Sequence, residues 1–206
     1  LRFCPAEGSK GFVFRRVDLQ GAPEVEAIAA NVTGTERGTS IAKGSAEVHT
    51  VEHVLAALVG AEIDNCVVEL DASEPPIMDG SAHFFCEALS EAGVEEQEAT
   101  REYLVINEVT HYSDPEKDVE MIAMPYDGFS VSVMVDYGTD VLGSQNATMS
   151  SIDQFNEHFS RSRTFSFLHE LEYLLDNGMI KGGDLSNAIV YVDKEPGADT
   201  MQKLQK

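Results

Sequence analysis

The segment from His49 to His53, His-Thr-Val-Glu-His, contains residue types that suit a metal-dependent hydrolase. An imidazole such as that of His53 binds Zn²⁺, and a neighbouring carboxylate such as that of Glu52 can act as general base on a metal-bound water. Successive helical residues point about 100° apart, so both reach one site only where it lies across a helix end. Thr50 is a common capping residue and predicts that a helix begins there. A Glu-His pair by itself is more often a solvated carboxylate and a core histidine.

The same five residues also match the H-x-x-E-H pattern of a class of zinc peptidases. In that interpretation His49 and His53 bind the metal together from one helix face, where residues four apart are neighbours. The pattern is short, needs a third ligand elsewhere in an acidic chain, and requires a helix that starts before His49. It stays open as an alternative function.

The charge balance argues against one class of partner. The 206 residues include 14 Lys and Arg against 36 Asp and Glu, a formal net charge of −22. Nucleic-acid binding needs a clustered basic face, so we expect no nucleic acid partner. No apolar run reaches about eighteen residues, which predicts no transmembrane segment. Cys4, Cys66 and Cys86 are too few for a disulfide framework and indicate reduced thiols in a cytoplasmic protein.

Hydrophobic patterning predicts an α+β fold of two similarly built two-layer sandwich domains, each with a sheet and two helices. We place the first domain at 1–97 and the second, incomplete in this chain, at 98–206, joined by an acidic linker. The strands are expected over 11–18, 64–70, 103–112, 119–124, 129–137 and 187–193. The helices are expected from Thr50, from 79–81 to Gly93, over 152–159 and over 167–177. Their inward residues are expected to be Val51, Val54, Leu55, Leu58 and Val59 in the first helix and Phe84, Phe85, Ala88 and Leu89 in the second.

Several blocks of this sequence closely resemble one enzyme family, UDP-3-O-acyl-N-acetylglucosamine deacetylase, a zinc amidase of lipid A biosynthesis. The resemblance extends in the right order over about residues 5–193. Its blocks are Thr50-Val-Glu-His-Val-Leu-Ala-Ala-Leu, Ile63-Asp-Asn, Glu74-Pro-Pro-Ile-Met-Asp-Gly-Ser-Ala82, Ser162-Arg-Thr-Phe-Ser-Phe-Leu168 and Asn187-Ala-Ile-Val190.

The resemblance implies a role for individual residues. Glu52 matches the family's general base and His53 its first zinc ligand, while His49 departs from the family and is read as incidental. Thr164 matches the threonine that supports the oxyanion. Asp136 and Tyr137 match an Asp-aromatic pair near the uridine of the UDP-linked acylated amino sugar. The acyl-chain passage is expected to be lined by Phe165, Phe167, Leu168, Leu171 and Val190, which by pattern alone would be core residues.

Two features depart from the family pattern. The family's other zinc ligands, a His and an Asp one helical turn apart, have no match, since none of the six histidines is followed four residues later by Asp. The family's glycine-rich N-terminal strand is also missing. We therefore expect a piece of a longer deacetylase that is inactive alone, or an inert scaffold. Some family members are fused to a dehydratase, which is an expected partner domain.

Arg161 and Arg163 are the basic residues that flank Thr164. Because a chain of charge −22 should repel a diphosphate, these two arginines are candidates to offset that charge locally. Two solvated arginines on a polar face are an equally good interpretation.

Overall fold

The computed structural model describes residues 1–36, 38–171 and 186–193, and over these the chain is an α+β protein, as predicted. The elements up to residue 92 are strands β1 (Arg2–Pro5), β2 (Phe12–Arg16), β3 (Glu24–Glu26), β4 (Val32–Gly34), β5 (Ser40–Lys43), β6 (Ala46–Val48) and β7 (Cys66–Leu70), a 3₁₀ turn (Ala29–Asn31), and helices α1 (Glu52–Gly60) and α2 (His83–Ala92). Beyond them lie strands β8 (Thr110–Asp114), β9 (Val119–Ala123), β10 (Val131–Asp136), β11 (Ser144–Met149), β12 (Phe165–Phe167) and β13 (Ile189–Tyr191).

The main sheet has the strand order β1-β7-β2-β3, with β2 and β7 parallel and the outer pairs antiparallel. Side chains alternate between the faces of a strand, so one register row carries Val68 opposite Phe3 and Phe14, and Phe14 opposite Val25. Helices α1 and α2 cover this apolar face and share its core. The first half is therefore the two-layer arrangement that the patterning predicts.

A row of alternating charges crosses the other face of the same sheet. In strand order it reads Arg2, Glu69, Arg15 and Glu24, each residue in register with the next. Arg15 Nε lies 2.8 Å from Glu24 Oε1, and its Nη1 lies 3.1 Å from Glu69 Oε1. The hydrogen bond from Arg2, with a further one from Arg15, lowers the pKa of Glu69. Such exposed ion pairs contribute little stability, but a shift of one residue would break the whole row.

The helices differ from the sequence predictions at their ends and on their faces. Helix α1 begins one residue after Val51, whose backbone takes the cap position without a side-chain bond, so the prediction of a Thr50 cap was wrong. In α2 the buried side chains are Phe85, Cys86 and Leu89, whereas the predicted inward residues Phe84 and Ala88 are exposed. Gly93 ends α2 at a φ of +74°, a left-handed conformation that glycine adopts easily.

Three short strands, β4, β5 and β6, form a separate antiparallel sheet beside the main one. The sequence analysis did not predict β5 and β6, because each has only three or four residues and follows a Thr- and Gly-rich stretch. Ile41 and Val48 are paired in this sheet, and both are buried in the main core. The small sheet is thus anchored to the first half beside the start of α1.

Two antiparallel hairpins, β8–β9 and β10–β11, follow the connecting segment 93–109, which has neither helix nor strand. Nearly all of their side chains are exposed. The predicted strand over 103–112 is present only as β8, and β11 was not predicted. The predicted helix over 152–159 is a 3₁₀ turn at Ile152–Gln154 followed by a single π-helical turn at Phe155–Phe159.

Strands β12 and β13 pair in parallel, and the chain is helical over 168–171 directly after β12. The rest of the helix predicted over 167–177 lies outside the described residues. The boundary at residue 97 stays a prediction. Among the described residues, the helices are too short or too polar to cross a bilayer.

Replacing Phe14 by alanine should destabilise the fold strongly, because Phe14 is 0% exposed at the centre of the sheet. We expect a loss of about 3–5 kcal/mol of unfolding free energy, as measured by urea denaturation of the complete gene product. Phe84→Ala is the matched control. This phenylalanine is 44% exposed, and its removal should cost less than about 1 kcal/mol. Equal losses from the two variants would contradict this description of the core.

Candidate active site

Glu52 and His53 lie in the first turn of α1, beside the loop that leads into β5. The Glu52 carboxylate accepts a hydrogen bond from the backbone N–H of Thr39 at 2.9 Å, and Val51 N donates to the carbonyl of Thr39 at 3.2 Å. A Cβ on Gly38 would lie 3.3 Å from Glu52 Oε1, so the loop passes close to this carboxylate. The loop and the positive end of the helix dipole therefore hold Glu52 in a fixed, half-buried position.

His49 lies outside α1, at the end of the small sheet. Its backbone N–H donates to the carbonyl of Ser73 at 2.9 Å, and its Nδ1 is 2.9 Å from the hydroxyl of Ser40. Thr50, which separates it from the helix, has a φ of +53°, and its hydroxyl donates to Glu74. The zinc-peptidase interpretation requires both histidines on one face of a helix. His49 and His53 do not have this arrangement, because only His53 belongs to α1.

Thr164 lies where residues 79–82, before α2, contact residues 160–164 and 186–189. We call this contact between the two halves of the chain the joint. Its backbone N–H donates to the carbonyl of Gly80 at 2.7 Å, and its own carbonyl accepts from Ile189 N at 3.0 Å. Gly80 has a φ of +81°, and a Cβ there would lie 1.9 Å from the carbonyl oxygen of Asn187 and 3.0 Å from Thr164 Cγ2. The joint therefore requires glycine at residue 80, both for its conformation and for its space.

Arg163 spans the same joint with its guanidinium. Its Nε donates to the carbonyl of Asp79 and its Nη2 to the carbonyl of Ser186, both at 2.6 Å. The side chain is therefore engaged with backbone of two distant segments. This placement favours a structural role over the offsetting of a substrate diphosphate. Arg161 is exposed.

The turn at residues 79–81 accepts the hydrogen bond of Thr164, and hydrogen bonds between Asp79 and Ser81 stabilise it. Asp79 Oδ1 accepts from the Ser81 backbone N–H at 3.1 Å and from its hydroxyl at 2.6 Å. Burial raises the pKa of the Asp79 carboxyl, but these hydrogen bonds together with the charge of Arg163 outweigh it, and the pKa lies below its ordinary value. The Ser81 hydroxyl oxygen in turn accepts from His83 N at the start of α2.

An aromatic face lies directly beyond Thr164, formed by Tyr137, Phe165, Phe167 and Tyr191. The ring centroids of Tyr137 and Phe165 are 5.4 Å apart, and those of Phe165 and Tyr191 are 5.5 Å apart, both edge to face. Phe165 and Phe167 point the same way because they alternate with Ser166 along β12. The structure thus brings Tyr137, which ends β10, against β12, while Asp136 is exposed and accepts from Gly138 N at 3.0 Å.

The other predicted passage residues do not belong to this aromatic face. Val190 is in register with Ser166, on the opposite side of the β12–β13 pair from Phe165 and Phe167. Leu168 is 1% exposed and Leu171 is half-buried in the helical stretch that follows. Of the five residues predicted to line one passage, Phe165 and Phe167 therefore lie on one face of the β12–β13 pair and Val190 on the other. Leu168 and Leu171 lie in the helical stretch that follows.

A histidine and an aspartate connect the helical stretch after β12 with the residues that follow β13. His169 Nδ1 is hydrogen-bonded to Asp193 Oδ2, and the imidazole stacks on Phe167 with a centroid distance of 5.7 Å. Glu170 accepts hydrogen bonds from Phe167 N and from the Ser166 hydroxyl, which fixes the start of the helix.

The described residues do not complete a metal site. Over residues 1–36, 38–171 and 186–193, no three His, Cys, Asp or Glu side chains are grouped so that they could hold an ion. His53 would supply one ligand, whereas a catalytic zinc site uses three protein ligands.

The geometry defines an α+β protein with a candidate hydrolase site, in which a helix start presents a Glu-His pair and a separate joint presents a threonine. Comparison with known families makes the assignment specific. The chain belongs to the UDP-3-O-acyl N-acetylglycosamine deacetylase family, whose family model matches residues 1–203.

Curated relatives support the family assignment. The chain is 46% identical over 205 residues to the bifunctional enzyme LpxC/FabZ of Chlorobaculum tepidum, covering 99% of this chain and 44% of that protein. It is 42% identical over 197 residues to the UDP-3-O-acyl-N-acetylglucosamine deacetylase of Teredinibacter turnerae, covering 94% of this chain and 64% of that protein. It is 43% identical to the protein of the same name in Pseudomonas entomophila, over 92% of this chain and 63% of that protein. The chain thus spans less than half of the bifunctional relative and under two thirds of the other two.

Sequence reasoning missed three features of this site. The bond of Arg163 to Asp79 joins residues 84 positions apart, and the close approach of Gly80 to Asn187 spans a still longer stretch of chain. No local pattern signals such contacts. Tyr191 joins the aromatic face only through the pairing of β13 with β12. The Asp79-Gly80 pair is a common turn signal, and it is the one feature that the sequence could have linked to an unusual backbone.

The turn at Asp79 can be tested through the pH dependence of stability. A carboxyl whose folded pKa is below its unfolded pKa stabilises the fold above the unfolded value, and this contribution is lost as the pH falls through the folded pKa. The free-energy gap between the unmodified protein and Asp79→Asn should therefore be constant from about pH 5 to 7 and shrink below about pH 4.

The measurement is urea unfolding of both proteins from pH 3 to 7. Ser81→Ala, which removes the hydroxyl donor to Asp79, should weaken the same pH dependence. A gap that stays constant down to pH 3 would show that Asp79 acts here without its charge.

Proposed function

We propose that the complete gene product hydrolyses the N-acetyl group of UDP-3-O-acyl-N-acetylglucosamine, a step of lipid A biosynthesis, in a zinc-dependent reaction. The observation that carries this proposal is the Glu52-His53 pair at the start of α1, in a chain that belongs to the deacetylase family. The names of the relatives, among them the deacetylases of T. turnerae and P. entomophila, support the substrate class.

Each residue has a distinct task in the proposed reaction. Glu52 takes the proton of the attacking water, since its carboxylate is held in place by Thr39 N–H while one side of it stays accessible. Thr164 donates a hydrogen bond to the developing oxyanion, for which its exposed side chain is available. Collapse of that anion breaks the C–N bond. The proton that Glu52 took from the water passes to the leaving nitrogen, so that the free amine and acetate are the products.

Zinc, when bound, supplies Lewis-acid polarisation of the acetamide and a more acidic water. In this chain His53 is the residue proposed to bind it, and the other ligands would come from outside the described residues. Because the described residues offer one ligand of the three that such a site needs, the chain as given is expected to hold zinc weakly at most.

Residues on and beside the β12–β13 ribbon are proposed to contact two parts of the substrate. Tyr137, which ends β10 next to the exposed Asp136, suits stacking against the uracil ring. Phe165, Phe167, Leu168, Leu171 and Val190 are the residues proposed to contact the acyl chain, since they form an apolar group in and directly after the β12–β13 pair.

A dehydratase unit in the same gene product is a further proposal. Relatives from C. tepidum, Porphyromonas gingivalis and Bacteroides thetaiotaomicron are named as bifunctional enzymes, and this chain covers 44% of each.

The first test is release of acetate from UDP-3-O-acyl-N-acetylglucosamine by the complete gene product, with and without a chelator. We expect that the protein releases acetate, that chelation abolishes this activity and that added Zn²⁺ restores it. Activity that survives complete removal of the metal would refute the zinc dependence, and absence of any acetate would refute the proposed reaction.

The second test separates the tasks of Glu52 and His53. Glu52→Gln can still accept the hydrogen bond from Thr39, so it should keep near-stoichiometric zinc while turnover falls about 10²–10⁴-fold. His53→Ala should instead lose zinc, because the remaining ligands hold the ion poorly. Metal analysis and kcat are measured for both variants.

His49→Ala is the matched control for this experiment, since it also removes one histidine from the five-residue motif. It should be nearly silent in zinc content and in turnover. Zinc lost from His49→Ala as fully as from His53→Ala would revive the peptidase interpretation, and zinc lost equally from the Glu52 variant would make Glu52 a ligand.

A further inference from the structure

Arg163 is bound to backbone on both sides of the joint that places Thr164. Its guanidinium connects the carbonyl of Asp79, in the turn before α2, with the carbonyl of Ser186, just before β13. Thr164 is the next residue, and its own N–H and C=O bond to Gly80 and Ile189, the neighbours of the same two segments. The two adjacent residues therefore make four hydrogen bonds that link three segments of the chain.

The geometry leaves Thr164 little freedom relative to the first half of the molecule. Its Cγ2 would lie 3.0 Å from a Cβ at Gly80, so the side chain is packed against the turn, while the residue as a whole is exposed. A second contact supports the joint three residues before Arg163 and three residues after Asp79, where Ala82 N donates to Ser160 O at 3.1 Å. A small shift of the 160–164 segment would carry the Thr164 hydroxyl with it.

We propose that Arg163 is a positioning residue, which acts through Thr164 by clamping it to the turn of Asp79 and Gly80. This inference rests on the proposed function, in which Thr164 supports the oxyanion. A misplaced hydrogen-bond donor loses much of its effect on a transition state, so loss of the clamp lowers turnover more than substrate affinity. The proposal concerns the two guanidinium donors that bond to backbone carbonyls, on Nε and Nη2.

A double-mutant cycle in the complete gene product tests whether Arg163 acts through Thr164. Thr164→Val should lower kcat about 10²–10³-fold with little change in KM. Arg163→Lys, which replaces the two separate guanidinium nitrogens that bond to the two carbonyls by one ammonium nitrogen, should lower kcat at least about tenfold with KM within about twofold. In the Thr164→Val background the lysine substitution should have almost no further effect, because the group that it positions is gone.

The control is Arg101→Lys, which also removes a guanidinium that donates to a backbone carbonyl, that of Glu62 at 2.8 Å, in the connecting segment. It should leave kcat and KM unchanged in both backgrounds. Urea unfolding accompanies each variant, and Arg163→Gln replaces the lysine variant if the latter does not fold. An equal fall in kcat in the two backgrounds would overturn the proposal, as would loss of folding by both Arg163 variants, since Arg163 would then hold the fold rather than the site.

Hydrogen exchange at the Thr164 amide gives a readout that does not depend on activity. This N–H donates to Gly80 at 2.7 Å, and Arg163→Lys should speed its exchange about tenfold or more while amides of the main sheet keep their rates. If exchange becomes faster in Arg163→Lys but the unmodified protein releases no acetate, Arg163 does hold Thr164 in place and the proposed function is refuted. Unchanged exchange with normal acetate release by the lysine variant would refute the clamp alone.

Discussion

At Gly80 the chain adopts a φ of +81° and comes so close to Asn187 that a Cβ would lie 1.9 Å from its carbonyl oxygen. The same residue accepts the backbone hydrogen bond of Thr164. Directly beside this point lie the bonds of Arg163, the start of β12 and the pairing of β13. The site therefore depends on a position where a side chain is excluded, and the hydrogen bonds between Asp79 and Ser81 keep that position in its unusual conformation.

The fold of the first half could largely be predicted from the sequence, because its elements carry strong local signals. Strands β2 and β7 have continuous apolar runs, and Gly93 marks the end of α2. The weaker predictions were those that depend on tertiary context. Phe84 was expected inside because it has the right spacing, yet its neighbour Cys86 takes the buried place. Strands of three residues, such as β6, have too few side chains to show an alternation.

The residues of the candidate site also differ in how far the sequence predicts their arrangement. Glu52 and His53 are adjacent in sequence, and a helix start brings them together by local geometry alone. The aromatic face needs the parallel pairing of β12 with β13, and the register of that pairing also separates Val190 from Phe165 and Phe167. The family resemblance supplied the identity of these residues, but not their distribution over two faces, because a motif records order along the chain and not the side of a strand on which a residue lies.

The joint between Asp79 and Arg163 links residues 84 positions apart, and this separation has a consequence for synthesis on the ribosome. At about 5–20 residues per second, the turn of Gly80 waits roughly 4–17 seconds before its partner segment is made. Closing so long a loop also costs entropy, which slows formation of the contact relative to the local helices. The bonds within the turn join residues only two apart, so the turn can take its final shape during this interval. The turn can therefore form before the segment that bonds to it has been synthesised, and we expect Thr164 to be among the last residues to reach its final position.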